Sequence, residues 1–304
     1  MGLEKEEFQK YDDIDLIALI KVAWVAKFKI ISFTCIAAIF SIFYALSLPN
    51  IYKSEILLTT VNDHSSGSTS MAASGLGGLA SLAGVSLGSP GTDDKTLGLA
   101  TLNSRIFITD YIERRDILVP LMALESWDDG KIKINDDVYD VKNKAWRVEK
   151  PSMQDAYSAF KNKFSTSIDP INGLITLSIT SESPELAQQW ATWLVEDLND
   201  SIREREVNEA KRAVTFLEDQ SKSTISEDMR AMFFRLIQQQ TETIMLANVR
   251  PDYLFRTIDP AIIQENKFSP NRPLICILGT LFGGFLSVFL VFLMHFLQPK
   301  KIVN

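Results

Sequence analysis

The residues able to do chemistry in this chain are few and scattered. Gly75, Gly77 and Ala80 stand at the spacing G-x-G-x-x-A. In a strand-to-helix turn that spacing brings backbone amides against a pyrophosphate. No strand-like run precedes these glycines, and no acid follows at the offset that would hold a ribose. The match therefore reads as chance within a loop of small residues. The phosphate loop G-x-x-x-x-G-K-[ST], which a nucleotide-driven kinase or motor needs, occurs nowhere. The acid pairs Asp128-Asp129 and Asp136-Asp137 fall in a turn-forming stretch without the EF-hand spacing, and read as surface carboxylates. His64 lies beside a loop of small residues with no obvious base or nucleophile partner, and His295 stands near the end of an apolar run. Cys35 and Cys276 both lie inside apolar runs, so they form no disulfide framework and, with two histidines, no zinc set. The expectation is a protein that is not an enzyme and has no cofactor and no metal.

What remains are residues suited to contact. The stretch REREVNEAKR places Arg203, Arg205, Glu206, Glu209 and Arg212 within ten positions. On a helix it is charged nearly all round, which suits a solvated shaft, or a face toward another subunit or a glycan, better than a compact core. Pro260, Pro270 and Pro273, with Arg272 among them, stiffen the approach to the second apolar run. Within that run Gly279, Gly283 and the adjacent Gly284 form a small-residue face of the G-x-x-x-G kind, which lets helices approach closely in lipid. Glycine is also common in membrane helices, so chance is the alternative reading of that face.

The elements that position these residues follow from the distribution of apolar residues. Of 304 residues 46% are hydrophobic and 23% charged, so the apolar share has to be concentrated. Residues 30–48 carry no charge over 19 positions, and residues 274–297 none over 24. Helices of these lengths cross a ~30 Å hydrocarbon core. A cleaved signal peptide competes for the first run, since Ala45 and Ser47 are spaced like a cleavage site. However, the 29 residues before it hold six acids against five lysines, unlike a short basic leader. The expected order is a cytoplasmic N-terminus (1–29), a first span (30–48), a domain outside the cytoplasm (49–273), a second span (274–297) and a cytoplasmic tail (298–304). Lys21, Lys27 and Lys29 before the first span, with Lys300 and Lys301 after the second, outnumber Lys53, Lys267 and Arg272 between them, which favours cytoplasmic termini. The net charge of −7, with no basic cluster, argues against a nucleic-acid partner.

Residues 1–29 include a weakly amphipathic stretch that either lies on the membrane or simply continues into the span. Residues 51–61 are rich in β-branched and apolar residues and predict a strand. Residues 65–91 then hold seven of the 14 glycines and no charge, as a flexible or close-packing loop does. A helix is predicted over 97–115, short alternating pieces over 127–146, and a second helix over 152–164 with Ser152 as its N-cap. Residues 174–180 predict a strand. Ser183-Pro184-Glu185 then opens a helix with an N-cap hydroxyl, a proline at its first position and an early acid. Apolar residues recur at helical spacing from Leu186 to Leu217, which predicts about 40 residues of helix, ~60 Å. A second helix over 227–248 doubles back along it, and residues 253–258 return as a strand. Because strands adjoin both membrane ends, they are expected to pair in one sheet. The fold class is an α/β membrane protein, two transmembrane helices flanking a periplasmic α/β base domain with a long extended helix.

Together these segments resemble the Wzz-type polysaccharide co-polymerases, the chain-length determinants. The resemblance rests on GLITLSITSESPELAQQWATWLVEDLND (173–200), Asp259-Pro260-Ala261, Ser269-Pro270-Asn271-Arg272-Pro273 and the loop GLGGLASLAG (75–84), in this order between two spans. It implies a bacterial inner-membrane protein that assembles into a ring- or bell-shaped homo-oligomer, an octamer by that likeness. It also implies a non-catalytic role in setting the modal length of lipopolysaccharide O-antigen or a related lipid-linked polysaccharide made by a Wzy-type polymerase. Pro260, Pro270, Arg272, Pro273, Gly279, Gly283 and Gly284 are the candidates for polymerase contact and helix packing. Some relatives carry a cytoplasmic tyrosine kinase domain; with seven residues after Leu297, that branch is not expected here unless a separate kinase partner exists. An adaptor for capsule or exopolysaccharide export shares the two-span layout and is the main alternative. A two-span sensor lacks an output domain here.

Overall fold

The computed structural model describes residues 24–61, 92–128, 130–223 and 225–297. The lead before residue 24, the loop with His64, Gly75, Gly77 and Ala80, Asp129 and the tail lie outside the described residues. In chain order the elements are α1 (Lys27–Ser47), β1 (Tyr52–Thr60), α2 (Thr92–Leu102), α3 (Arg105–Arg114), α4 (Leu118–Met122), β2 (Leu124–Asp128), β3 (Lys131–Ile134), β4 (Tyr139–Asp140), β5 (Ala145–Trp146), α5 (Met153–Lys163), β6 (Phe164–Ile168), β7 (Ile175–Ser181), α6 (Pro184–Ser223), α7 (Glu227–Val249), β8 (Phe255–Asp259) and α8 (Arg272–Leu297). They divide into two units. One is formed by residues 1–49 and 269–304, the other by residues 50–268.

The first unit is the pair α1 and α8. Their most apolar windows have mean hydropathies of 2.1 and 2.5, and both helices are long and apolar enough to cross a membrane. Side chains such as Phe40, Phe43, Phe282 and Phe285 point outward with no protein over them. A water-soluble core helix would bury such residues, whereas lipid accommodates them at no cost.

The second unit is built on a four-stranded antiparallel sheet in the order β6-β7-β1-β8. In the register of β1 and β7, Tyr52 lies opposite Ser181 and Leu58 opposite Ile175, while Leu58 lies opposite Thr257 on β8. The strands adjoining the two membrane ends are therefore neighbours, as the presence of a strand at each of those ends predicts. Ile56, Leu58, Ile175, Leu177 and Ile179 are buried on the sheet. Leu186, Trp190, Ala191, Leu194, Leu198 and Ile202 of α6 pack into the same core, a helical stripe at spacings of three and four. Phe160 and Tyr111 close it from α5 and α3, with ring centroids 5.4 Å apart.

Local signals account for most boundaries. The Ser183 hydroxyl accepts from the Leu186 amide and starts α6. Ser152 and Asp155 form a reciprocal capping box on α5. The single helix predicted over 97–115 is instead two. Asn103 leaves the helix, and Ser104, extended at φ −74° and ψ 143°, caps a new one by accepting from Phe107. The break allows Gly98 of α2 to meet Leu254 and Phe255, where an added Cβ would lie 2.6 Å from both side chains. Strand β6 follows α5 with no turn residue between and was not anticipated. The alternating stretch over 127–146 resolves into two small hairpins, β2–β3 and β4–β5.

One buried side chain ties α6 to the returning strand. Asn199 Oδ1 accepts from the Leu254 and Phe255 amides at 3.0 and 2.9 Å, and its Nδ2 donates to the Phe255 carbonyl at 2.9 Å. Replacing it strands three buried backbone groups, each costing ~1–3 kcal/mol when left unpaired. Asn199→Leu is expected to lower stability by about 3 kcal/mol, against less than about 0.5 kcal/mol for Asn208→Leu on the exposed face. Denaturant unfolding of the detergent-solubilised full chain, followed by tryptophan fluorescence, measures both. Equal midpoints would contradict the role given to Asn199.

Candidate functional site

Within the membrane unit, the small residues of α8 meet small and hydroxylated residues of α1. A Cβ built on Gly279 would overlap the Ser41 hydroxyl and lie 2.7 Å from Ser41 Cβ, and one on Gly283 would overlap Ala37 Cβ. Gly284 is looser, with Thr34 at 3.9 Å. Hydrogen bonds run beside these contacts. Ser41 Oγ donates to the Ile275 carbonyl at 3.0 Å, and the hydroxyls of Thr34 and Ser287 are 3.3 Å apart. Ser287 is buried and also donates to the Gly284 carbonyl. In lipid there is no hydrophobic drive between helices, so close packing and such bonds hold the pair.

Arg272, at the head of α8, directs its guanidinium across the pair. Its Nε donates to the Ala45 carbonyl at 3.2 Å and an Nη to the Leu48 carbonyl at 3.5 Å. These are carbonyls at the C-terminus of α1, which lack helical partners and carry the negative end of the dipole. A cation is the apt group there. The sequence pattern offers Arg272 for polymerase contact or helix packing, and its guanidinium is engaged with the carbonyls of α1. Pro270 and Pro273 flank it, and the Ser269-Pro270 peptide bond is cis. Pro260 is not with them. It belongs to the other unit, on the wall of a cleft of about 360 Å³ that also has Arg115, Glu196, Asp200 and Thr257 on its walls.

The five charged candidates of α6 also separate into two groups. Arg203 pairs with Asp200 at 2.6 Å, and Glu206 accepts from the Tyr253 hydroxyl. Both are half-buried and serve the body itself. Arg205, Glu209 and Arg212 are exposed, at spacings of four and three, along one side of the helix. Below them the helix is rooted by Arg115. That guanidinium bonds the buried Asp197 at 2.6 Å and Glu196 at 3.2 Å, and lies 5.0 Å from the centre of the Trp193 ring. Its hydrogen bonds to Asp197 raise the Arg115 pKa further. Burial, and then the Asp197 carboxylate, push the Tyr111 phenol well above its ordinary range, and its hydroxyl donates to the Trp190 carbonyl. Sequence reasoning missed Arg115, Asp197 and Asn199. An acid and an amide among the apolar stripe of α6 were the available signal.

The residues offered for chemistry are not brought together. Asp128, Asp136 and Asp137 are exposed in the small hairpin region, and Cys35 and Cys276 are free. Among the described residues no group of three or more His, Cys, Asp or Glu could hold a metal ion. The arrangement can position, pack and present charge.

These features define a class of protein, two membrane-spanning helices joined by an antiparallel α/β body that carries a long helical hairpin. Residues 12–90 match the family model described as Wzz, chain length determinant protein, and this supports the Wzz-type family. A solved structure titled full-length bacterial polysaccharide co-polymerase is similar at 13% identity and a TM-score of 0.44, covering 95% of this chain and 100% of that one. A fragment of WzzB, polysaccharide co-polymerase from Salmonella Typhimurium, is similar at 10% identity and a TM-score of 0.30, covering 72% of this chain and 100% of that one. No curated protein matches the chain.

The span pair makes a direct test. In a background with Cys35→Ala and Cys276→Ala, the double variant Thr34→Cys, Ser287→Cys is expected to form an intramolecular disulfide under mild oxidation. Adding Gly283→Ile, whose side chain collides with Ala37, is expected to abolish it. A mobility shift on non-reducing gels reads both outcomes.

Proposed function

We propose that this protein is a non-catalytic regulator of polysaccharide chain length at the bacterial inner membrane. The observation that carries the reading is the match of residues 12–90 to the chain length determinant family. The two apolar helices support membrane embedding, and the lysine distribution supports cytoplasmic termini with the α/β body in the periplasm. The polymer is a lipid-linked glycan, lipopolysaccharide O-antigen in the first instance, extended by a Wzy-type polymerase.

The body works as a homo-oligomer in this reading. A single copy leaves Met229, Met232, Phe234, Met245 and Val249 of α7 exposed, with Val249 at 78%. That much apolar surface on one helix favours an interface with further copies over open solvent. The exposed charges Arg205, Glu209 and Arg212 then face a neighbouring subunit or the growing glycan. Pro270 and Pro273, with the Gly279, Gly283 and Gly284 face, shape the membrane neck presented to the polymerase, and Arg272 holds that neck together. Pro260 acts through the body.

A gel profile of surface polysaccharide from a deletion strain and its complemented parent is the first test. Loss of the modal cluster, replaced by a smooth decay of lengths, is expected. An unchanged distribution with less material at the surface would transfer the protein to the export adaptors. In the complemented strain, the triple variant Arg205→Ala, Glu209→Ala, Arg212→Ala is expected to shift the modal length at unchanged polymer amount. A profile identical to the parent's would remove these residues from the working face.

A further inference from the structure

The segment between β8 and α8 is held to the body by its backbone while its apolar side chains face outward. Gln188 Nε2 donates to the Ala261 carbonyl at 3.3 Å, Ser54 Oγ to the Ile262 carbonyl at 2.9 Å, and the Phe268 amide to the Ile51 carbonyl at 2.8 Å. Ala261 is buried, yet Ile262, Ile263 and Phe268 are 57%, 56% and 61% exposed. Three large apolar side chains so close in sequence, on a segment fastened at three points, are not the product of a loose loop.

Chain length restricts what can cover them. Phe268 stands four residues before the first residue of α8, and its bonding partner Ile51 four residues after the last of α1. Four residues reach at most ~14 Å. Along the chain, Phe268 therefore remains within that distance of the start of α8, and Ile51 of the end of α1. The headgroup layer, ~5–8 Å deep on each side of the hydrocarbon, lies inside this range. Ile262 is bonded at the level of Ser54, three strand residues or ~10 Å further along β1. Six residues then return the chain from Ile262 to Phe268 across that short rise, so residues 263–267 bow outward.

The charge around the segment is balanced. Lys53 lies 5.1 Å from the centre of the Phe268 ring and pairs with Glu55 at 2.5 Å, and that hydrogen bond holds the Glu55 carboxyl below its usual range. Exposed Lys267 and Glu265 lie on the same bow. A patch of aromatic and aliphatic side chains with a snorkelling lysine and no net charge suits the boundary of headgroups and acyl chains. It does not suit an anionic partner.

We propose that residues 261–268 form a third attachment to the bilayer, seating Ile262, Ile263 and Phe268 at the headgroup boundary beside the two spans. The proposal rests on α1 and α8 crossing the membrane and is independent of any role in polymer length. It is tested in the full chain carrying Cys35→Ala and Cys276→Ala, with Ile263→Cys or Phe268→Cys labelled by an environment-sensitive fluorophore. The protein is placed in nanodiscs of zwitterionic lipid bearing a shallow acyl-chain nitroxide. Ile171→Cys serves as the solvent control, because Ile171 is 94% exposed just before the end of β7 that pairs with Leu58, the far end of the sheet from Tyr52. Phe40→Cys, on the lipid-facing side of α1, serves as the membrane control. Quenching at 263 and 268 several-fold above that at 171, and insensitive to salt, is expected. Quenching equal to the solvent control would overturn the proposal. So would blue-shifted emission without quenching, which would mean that protein, not lipid, covers the segment.

Discussion

The antiparallel pairing of β1 with β8 is the constraint on which the rest of the body depends. β1 begins just after the first apolar helix, and β8 ends shortly before the second. Their ladder closes the whole intervening chain into a loop whose ends lie side by side. Loop-closure entropy grows only slowly with length, so one such closure tolerates a long excursion. It also leaves β1 in the interior of the sheet, with β7 on its other side, so every strand that packs against α6 is aligned through it. Asn199 and Gly98 both act on the first residues of β8, one by hydrogen bonds and one by leaving room. They secure the closure from two elements far apart in sequence.

The membrane unit repeats the closure by other means. The body is held by apolar burial, which is tolerant of modest changes in shape. α1 and α8 have no such term between them and depend on backbone approach at Gly279 and Gly283, on hydroxyl pairs and on the Arg272 clamp. A methyl group added in the body is a question of packing, whereas one added at Gly283 is a question of whether the helices meet at all.

Much of this was readable from residue order. The Ser183-Pro184-Glu185 start and the apolar stripe to Leu217 foretell α6, and a strand candidate at each membrane end foretells β1 and β8 with their pairing. Short or crowded features were not legible. β6 has five residues, two of them serine and one threonine, and follows α5 without a glycine or proline to mark a boundary. The Asn103-Ser104 break carries a capping residue, but the apolar spacing runs on through it and hides the interruption. The division of the α6 charges was hidden for a different reason. Arg203 and Glu206 are occupied by Asp200 and Tyr253, while Arg205 and Glu209 are free to face outward, and only the rotation of the helix against the body decides which is which. Arg272 likewise takes its role from carbonyls more than two hundred residues away in sequence.

On the function proposed above, a protein that works by contact alters polymer length by changing how often an extension step is followed by another instead of by release. That ratio is set by a difference in binding between two states of the polymerase–glycan complex, and a tenfold change needs only ~1.4 kcal/mol of coupling. Such a difference does not call for a deep pocket. In the proposed homo-oligomer, a few charged contacts repeated from subunit to subunit are of the right size. Among the described residues, the exposed row Arg205, Glu209 and Arg212 and the tight pair α1–α8 offer contacts of that kind, and they lie in different units. If the row reads the glycan and the pair reads the polymerase, the β1–β8 closure is what connects them, because every covalent path between the two passes through the base of the sheet. Weakening that closure without unfolding the body would then broaden the length distribution instead of shifting its mode, since the two contacts would no longer act on the same event.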